Sequence, residues 1–241
     1  MAGDRGGTGG PEAGSLDELE AEITHCRRCP RLVAWREQAA RERPSRFADW
    51  DYWARPAPGF GDPAARLMIV GLAPAANGAN RTGRMFTGDR SGDWLYGALY
   101  RAGLANQPTS THRDDGLRLT DVFIGGVVRC APPANRPLPE ERDNCLPFLM
   151  RELALMPRVR VLLCLGSFAW DGLLRGLAGR GLTVRPKPRF SHLAEARVGP
   201  YALLGSYHPS QQNTFTGKLT VPMFDRAFFR ARELMEEDER G

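Results

Sequence analysis

The chain has almost no lysine. Of its 33 basic side chains only Lys187 and Lys218 are lysines; the others are arginines, and the formal net charge is +5. Arginine carries a fixed fork that pairs bidentately with phosphate oxygens, so the bias suits a nucleic-acid ligand, although a GC-rich genome produces the same excess. No apolar run approaches the ~18 residues of a membrane-spanning helix, which excludes that class. The opening MAGDRGGTGGPEAG has no apolar centre and does not read as a secretory signal. Its glycine content predicts disorder over residues 1–14, with a single domain over 15–241. No Gly-Lys-Ser/Thr ending and no G-x-G-x-x-G spacing occurs after a strand, which argues against a triphosphate cradle and a dinucleotide fingerprint. No internal repeat is visible. A cytoplasmic protein is expected.

Short, nearly continuous apolar runs are plentiful instead. Arg66–Gly71, Leu119–Val128, Val159–Gly166 and Tyr201–Ser206 read as strands, most of them buried on both faces. Helical patterns lie between and around them, at Gly92–Ala102, Pro139–Met156, Ser167–Leu177 and Thr220–Asp238. Ser15 with Glu18 three residues on forms a capping box for a helix running toward Cys26, and Leu32–Glu42 reads as a second helix. Residues 44–65 hold prolines and aromatics and read as a long irregular segment. Alternating strands and helices predict an α/β fold in three layers, α/β/α, around a central four-stranded parallel sheet. In such sheets ligands bind beyond the carboxyl ends of the strands.

The residues at those ends are informative. The first strand leads into GLAPAANGANRTGRMFTGD, the second into Arg129-Cys-Ala-Pro-Pro-Ala-Asn-Arg136, and the fourth into Tyr207-His-Pro-Ser-Gln-Gln-Asn213. In the first, glycines flanking Phe86 let backbone and ring approach a flat ligand, with the Asp89 carboxylate nearby. His208 follows a buried strand and is fixed by a proline, and the polar run after it suits DNA contacts. Arg81, Arg84, Arg90, Arg129 and Arg136 fall in or beside these loops and read as phosphate contacts. Arg180, Arg185, Lys187 and Arg189 read as a solvated loop.

Five cysteines remain. Cys26 and Cys29 form a short chelate bite, and Cys130 and Cys145 could complete four thiolates for zinc or a cubane iron–sulfur cluster. Either would staple the N-terminal segment to the rest of the chain. Cys164, in VLLCLG, reads as core.

Together GLAPA…NRTGRMFTGD, HPSQQN and the cysteine pattern resemble the uracil-DNA glycosylase superfamily, over roughly Cys26 to Phe229. The cysteines are similar to those of its 4Fe–4S branches, which favours a 4Fe–4S cluster over zinc, and GLAPA with CAPPAN resembles family 5. The resemblance implies removal of damaged bases from DNA, uracil first and also hypoxanthine and bulky pyrimidine lesions, leaving an abasic site. It implies a nucleotide flipped out of the stack of double-stranded and also single-stranded DNA. Asp89, Asn135 and His208 then become the catalytic residues. Gly71, Ala73 and Phe86 hold the base. Arg84, Arg136, Ser210, Gln211, Gln212 and Asn213 contact DNA, and Phe215 is the candidate wedge. Two departures stand out. Leu72 and Ala75 replace the polar residues that many relatives use on the attacking water, and the place of a base-reading asparagine falls in Gly125-Gly126. Few readers imply broad specificity. A nucleoid-associated monomer without an obligate protein partner is expected. Two other readings are a non-catalytic iron–sulfur DNA-binding module and a nucleotide-processing α/β hydrolase.

Overall fold

A computed structural model describes residues 14–240. The expected disorder of 1–14 lies, Gly14 apart, outside that range. The strands are β1 (Phe60–Gly61), β2 (Leu67–Gly71), β3 (Val122–Gly126), β4 (Val161–Leu165), β5 (Glu195–Val198) and β6 (Tyr201–Ser206). They form one sheet in the order β1-β3-β2-β4-β6-β5. The central four strands are parallel, as the apolar runs predict. The sheet is nonetheless six-stranded and mixed, because β1 and β5 pair antiparallel at its two edges. Neither edge strand carries a long apolar run: β1 has two residues and β5 reads Glu-Ala-Arg-Val.

Alternate side chains of β2 enter opposite cores. Leu67 and Ile69 pack with α4 (Arg90–Arg101) and α8 (Val221–Arg240), through residues such as Leu95, Tyr96, Phe224 and Phe228. Met68 and Val70 pack with α5 (Pro139–Leu155) and α6 (Ser167–Gly179), through Leu149, Trp170 and Leu173. The result is the three-layer α/β/α arrangement. Cys164 is fully buried in the second core, as expected.

The N-terminal helices attach to this body from outside. In α1 (Leu16–His25) the capping box is present: Glu18 N–H donates to Ser15 Oγ at 3.1 Å and Ser15 N–H to Glu18 Oε2 at 2.8 Å. The apolar face of α1, Leu19 and Ile23, lies against Phe148 of α5. The next helix, α2 (Pro30–Arg41), starts with proline at its first position, directly after Cys29, where a missing N–H does no harm.

Candidate active site

The loop after β2 folds back on itself. Its centre is α3 (Ala79–Thr82), and Asp89 at its end is the N-cap of α4, with Oδ1 accepting from Gly92 N–H at 3.0 Å. Burial pushes the Asp89 carboxyl up, against the lowering effect of the helix-terminal N–H groups. Gly78 is required beside it, since a Cβ there would lie 2.0 Å from Asp89 Oδ2.

A cavity of about 400 Å³ opens at this carboxylate. Ala75, Gly78, Gly88, Asp89, Asn135 and Gln211 line it, with Trp35, Arg46 and Phe47 on the far wall. Asn135 arrives on a single 3₁₀ turn, Pro133–Asn135, in which Ala134 (φ 52°) and Asn135 (φ 54°) both adopt left-handed backbone. That conformation is uncommon outside glycine and turns the exposed asparagine toward the cavity.

Phe86 and His208 do not line this cavity; they form a neighbouring group with Gly71. Phe86 has φ 53°, and its ring stands so close under Gly71 that a Cβ there would lie 2.8 Å from it. The His208 ring is 6.0 Å from the Phe86 ring, tilted by 32°. Among the described residues no hydrogen bond reaches the His208 ring, and burial pushes its pKa down to about 4, so it is neutral at neutral pH. Ala73 is half-buried, and the carbonyls of Gly71 and Leu72 are engaged by Val127 and Val128 N–H, each at 3.0 Å.

Beyond His208 the chain forms α7 (Gln211–Phe215), a short helix absent from the sequence reading. Ser210 caps it, with Oγ accepting from Asn213 N–H at 3.4 Å. Asn213 Nδ2 donates to the His208 carbonyl at 2.9 Å, so this side chain braces the loop from within. Gln211, Gln212 and Phe215 are exposed, and the Arg90 guanidinium lies 4.4 Å over the Phe215 ring.

The expectation for Arg84 is overturned. It is 4% exposed, bonds both carboxylate oxygens of Asp115 at 2.8 Å, and donates to Thr87, Ser110 and the Arg113 carbonyl. It ties the loop to residues 110–115 and presents nothing to a duplex. Arg81 and Arg129 are buried as well. The first donates to the Asn77 and Gly88 carbonyls and stacks between Phe47 and Trp50, and the second pairs with Glu152. Inward guanidiniums found carbonyls and carboxylates to satisfy them, which loop position alone does not reveal. Arg90 and Arg136 are exposed.

Cys26, Cys29, Cys130 and Cys145 line one small cavity, shared with Arg129 and Phe148. Burial pushes the Cys130 thiol up to about 11 and the Cys145 thiol up to about 12. Arg36 Nη1 donates to Cys130 Sγ at 3.0 Å, and Asn144 Nδ2 lies 3.6 Å from Cys29 Sγ. Among the described residues no group of three or more His, Cys, Asp or Glu side chains is drawn together to hold a metal ion.

The family model of the uracil DNA glycosylase superfamily matches residues 58–232, which include the loops carrying Asp89, Asn135 and His208. The chain belongs to the uracil-DNA glycosylase superfamily. It is 55% identical to a type-5 uracil-DNA glycosylase of Mycobacterium tuberculosis, over 92% of this chain and 82% of that one. It is 50% identical to a type-5 uracil-DNA glycosylase of Thermus thermophilus, over 88% and 94%. Similarity to a type-4 uracil-DNA glycosylase of Pyrobaculum aerophilum is lower, 33% over 68% and 67%. Within the superfamily the likeness is therefore closer to these type-5 enzymes.

Sequence reasoning missed Trp35, Arg46 and Phe47 in the cavity wall, and Arg36 at the cysteines. Arg36 left a signal: it shares the buried face of α2 with Leu32 and Val33, an arginine where the pattern calls for an apolar residue.

Proposed function

We propose that the chain is a uracil-DNA glycosylase of base excision repair that hydrolyses the N-glycosidic bond of a flipped-out nucleotide. The observation that carries this is a desolvated carboxylate, Asp89, and a neutral histidine, His208, in the loops that follow β2 and β6, the parallel strands on either side of β4, on a chain that belongs to this superfamily. Breaking the bond builds positive charge on the sugar and negative charge on the leaving base, so fixed charges and dipoles supply most of the catalysis. Asp89, held by the N-terminus of α4, stabilises the sugar cation or orients the attacking water. Asn135, across the same cavity, orients the water or the base. His208 donates from its neutral ring to the base carbonyl where anionic charge develops. Phe86 carries the base on its face, and backbone groups near Gly71 and Ala73 read its edge.

Broad specificity extends this reading. Ala75 lines the cavity and brings no polar atom to the water. Gly125 and Gly126 end β3 inside the core, where a Cβ on Gly126 would lie 3.2 Å from Met85 and from the Val128 carbonyl. A side-chain reader has no room there, so hypoxanthine and bulky pyrimidine lesions are accepted beside uracil. Gln211, Gln212, Arg90 and Arg136 contact the backbone and groove of damaged DNA, and Phe215 fills the gap left by the flipped nucleotide.

The cysteines hold a 4Fe–4S cluster in this proposal. Four cysteines lining one cavity supply the number and type of ligands that such a cluster takes. Buried guanidinium donors without partners, Arg36 Nε and Arg129 Nε and Nη1, suit an anionic one. Such a cluster cross-links the N-terminal helices to the loop carrying Asn135; the chemistry at the sugar belongs to the protein's own side chains. The enzyme works beside the nucleoid.

Incubation with a duplex bearing a single uracil, followed by alkaline cleavage, tests the activity. Strand breaks are expected, reduced about a hundredfold or more in Asp89→Asn and His208→Ala with duplex binding retained. No breaks with uracil, hypoxanthine or other damaged bases would favour a non-catalytic DNA-binding module.

A further inference from the structure

Arg36 is 2% exposed, and among the described residues no carboxylate forms an ion pair with it. A guanidinium taken out of water is strongly unfavourable unless a negative charge accompanies it. Its partners are instead two residues of the cysteine set: Nη1 donates to Cys130 Sγ at 3.0 Å and to the Cys26 carbonyl at 3.3 Å. Nε is buried, with no hydrogen-bond partner among the described residues. The charge that balances Arg36 has to come from the sulfur site.

The backbone of the same residue faces the other way. Its carbonyl accepts from Asn80 Nδ2 at 3.1 Å, and Asn80, fully buried, lies in α3 at the heart of the loop between Gly71 and Asp89. Asn80 N–H donates to the Ala75 carbonyl, and its own carbonyl accepts from Ala54 N–H at 3.0 Å. Trp35, the neighbour of Arg36, forms part of the wall facing Asp89. One turn of α2 therefore touches the sulfur site and the catalytic loop together.

We infer that Arg36 is the counter-ion of the cysteine-bound cluster and, through Asn80, the positioning residue that transmits its presence to the Asp89 loop. This rests on the cluster reading above. Without the negative charge Arg36 has no reason to remain buried, and the Asn80 contact that fixes the loop is released with it.

The test uses the full-length holoprotein with R36Q, R36K and N80A, scored by iron per chain, reduction potential, iron loss to a chelator, and kcat and KM on a uracil duplex. Net charge and hydrogen bonds to sulfur set cluster potentials. R36Q is expected to move the potential to a more negative value and to lose iron at least about tenfold faster, a factor worth about 1.4 kcal/mol. N80A is expected to match wild-type iron and potential while kcat falls at least about fivefold, worth about 1 kcal/mol. If R36Q does not fold, R36K decides: it keeps the charge, so its potential stays at the wild-type value while iron loss quickens. Wild-type potential and iron loss in R36Q, or an R36K potential displaced from the wild-type value with iron retained, overturn the counter-ion. Normal kcat in N80A overturns the link to the loop. Wild-type protein free of iron overturns the cluster reading itself, whatever the variants do.

Discussion

At the scale of single residues, the protonation states of Asp89 and His208 set the working range. Asp89 has to be ionised to face a sugar cation, and burial raises its carboxyl from the ordinary 3.8. Below that raised pKa it is neutral, so the rate falls as pH falls. His208 is neutral above about 4, so no change is expected near the ordinary histidine value of 6.5. A single-turnover pH profile should show an acid limb above 3.8 that disappears in Asp89→Asn. A limb at 6.5 removed by His208→Ala would instead make the histidine a charged donor. The identity of these residues was legible because each follows an apolar run in a polar, glycine- or proline-bounded stretch. The fate of the arginines was not. Arg84 and Arg136 look alike in the sequence, yet one is locked on Asp115, some thirty residues away, and the other faces solvent.

At the scale of elements, α7 decides how the chain would meet a duplex. Five residues long and capped by Ser210, it holds Phe215 out with 66% of its surface exposed, and Arg90 covers one face of the ring. An exposed aromatic buries apolar surface when it enters a base stack. Phe215→Ala is therefore expected to raise KM for a uracil duplex on the order of tenfold, in line with the strength of base–aromatic stacking. Uracil in a single strand, which leaves no gap to fill, should be affected far less, and equal loss on both substrates would remove the wedge role. The four parallel strands were legible as apolar runs. The edge hairpin of β5 and β6 had a subtler mark in Gly199-Pro200, where Gly199 at φ 57° precedes proline. Glycine at the first central position is what a tight hairpin turn of this hand requires. The polar sequence of β5 concealed the strand because an edge strand is only half-covered.

At the scale of the whole molecule, the four cysteines that line one cavity come from parts of the chain about a hundred residues apart. Metal binding that links such parts adds to folding stability. Cys130→Ala is expected to lower the iron content and Tm together, by about 2–4 °C for each kcal/mol lost in a chain of this size. Duplex affinity should fall with them, since the loop between Cys130 and Cys145 carries Asn135 and Arg136. Iron loss with unchanged Tm and affinity would leave the cluster without a structural role.

The sequence by itself determined the layers, the strands at the centre and the stretches that gather at their ends, because periodicity and loop chemistry are local properties of the chain. Tertiary structure alone decided which charges turn inward. It put Arg84 on Asp115, Arg129 on Glu152 and Arg36 on the Cys130 sulfur, and it divided the site into a cavity around Asp89 and Asn135 and a ring pair of Phe86 and His208. A buried charge is tolerated only beside its partner, and here those partners come from distant parts of the chain that only folding brings into contact.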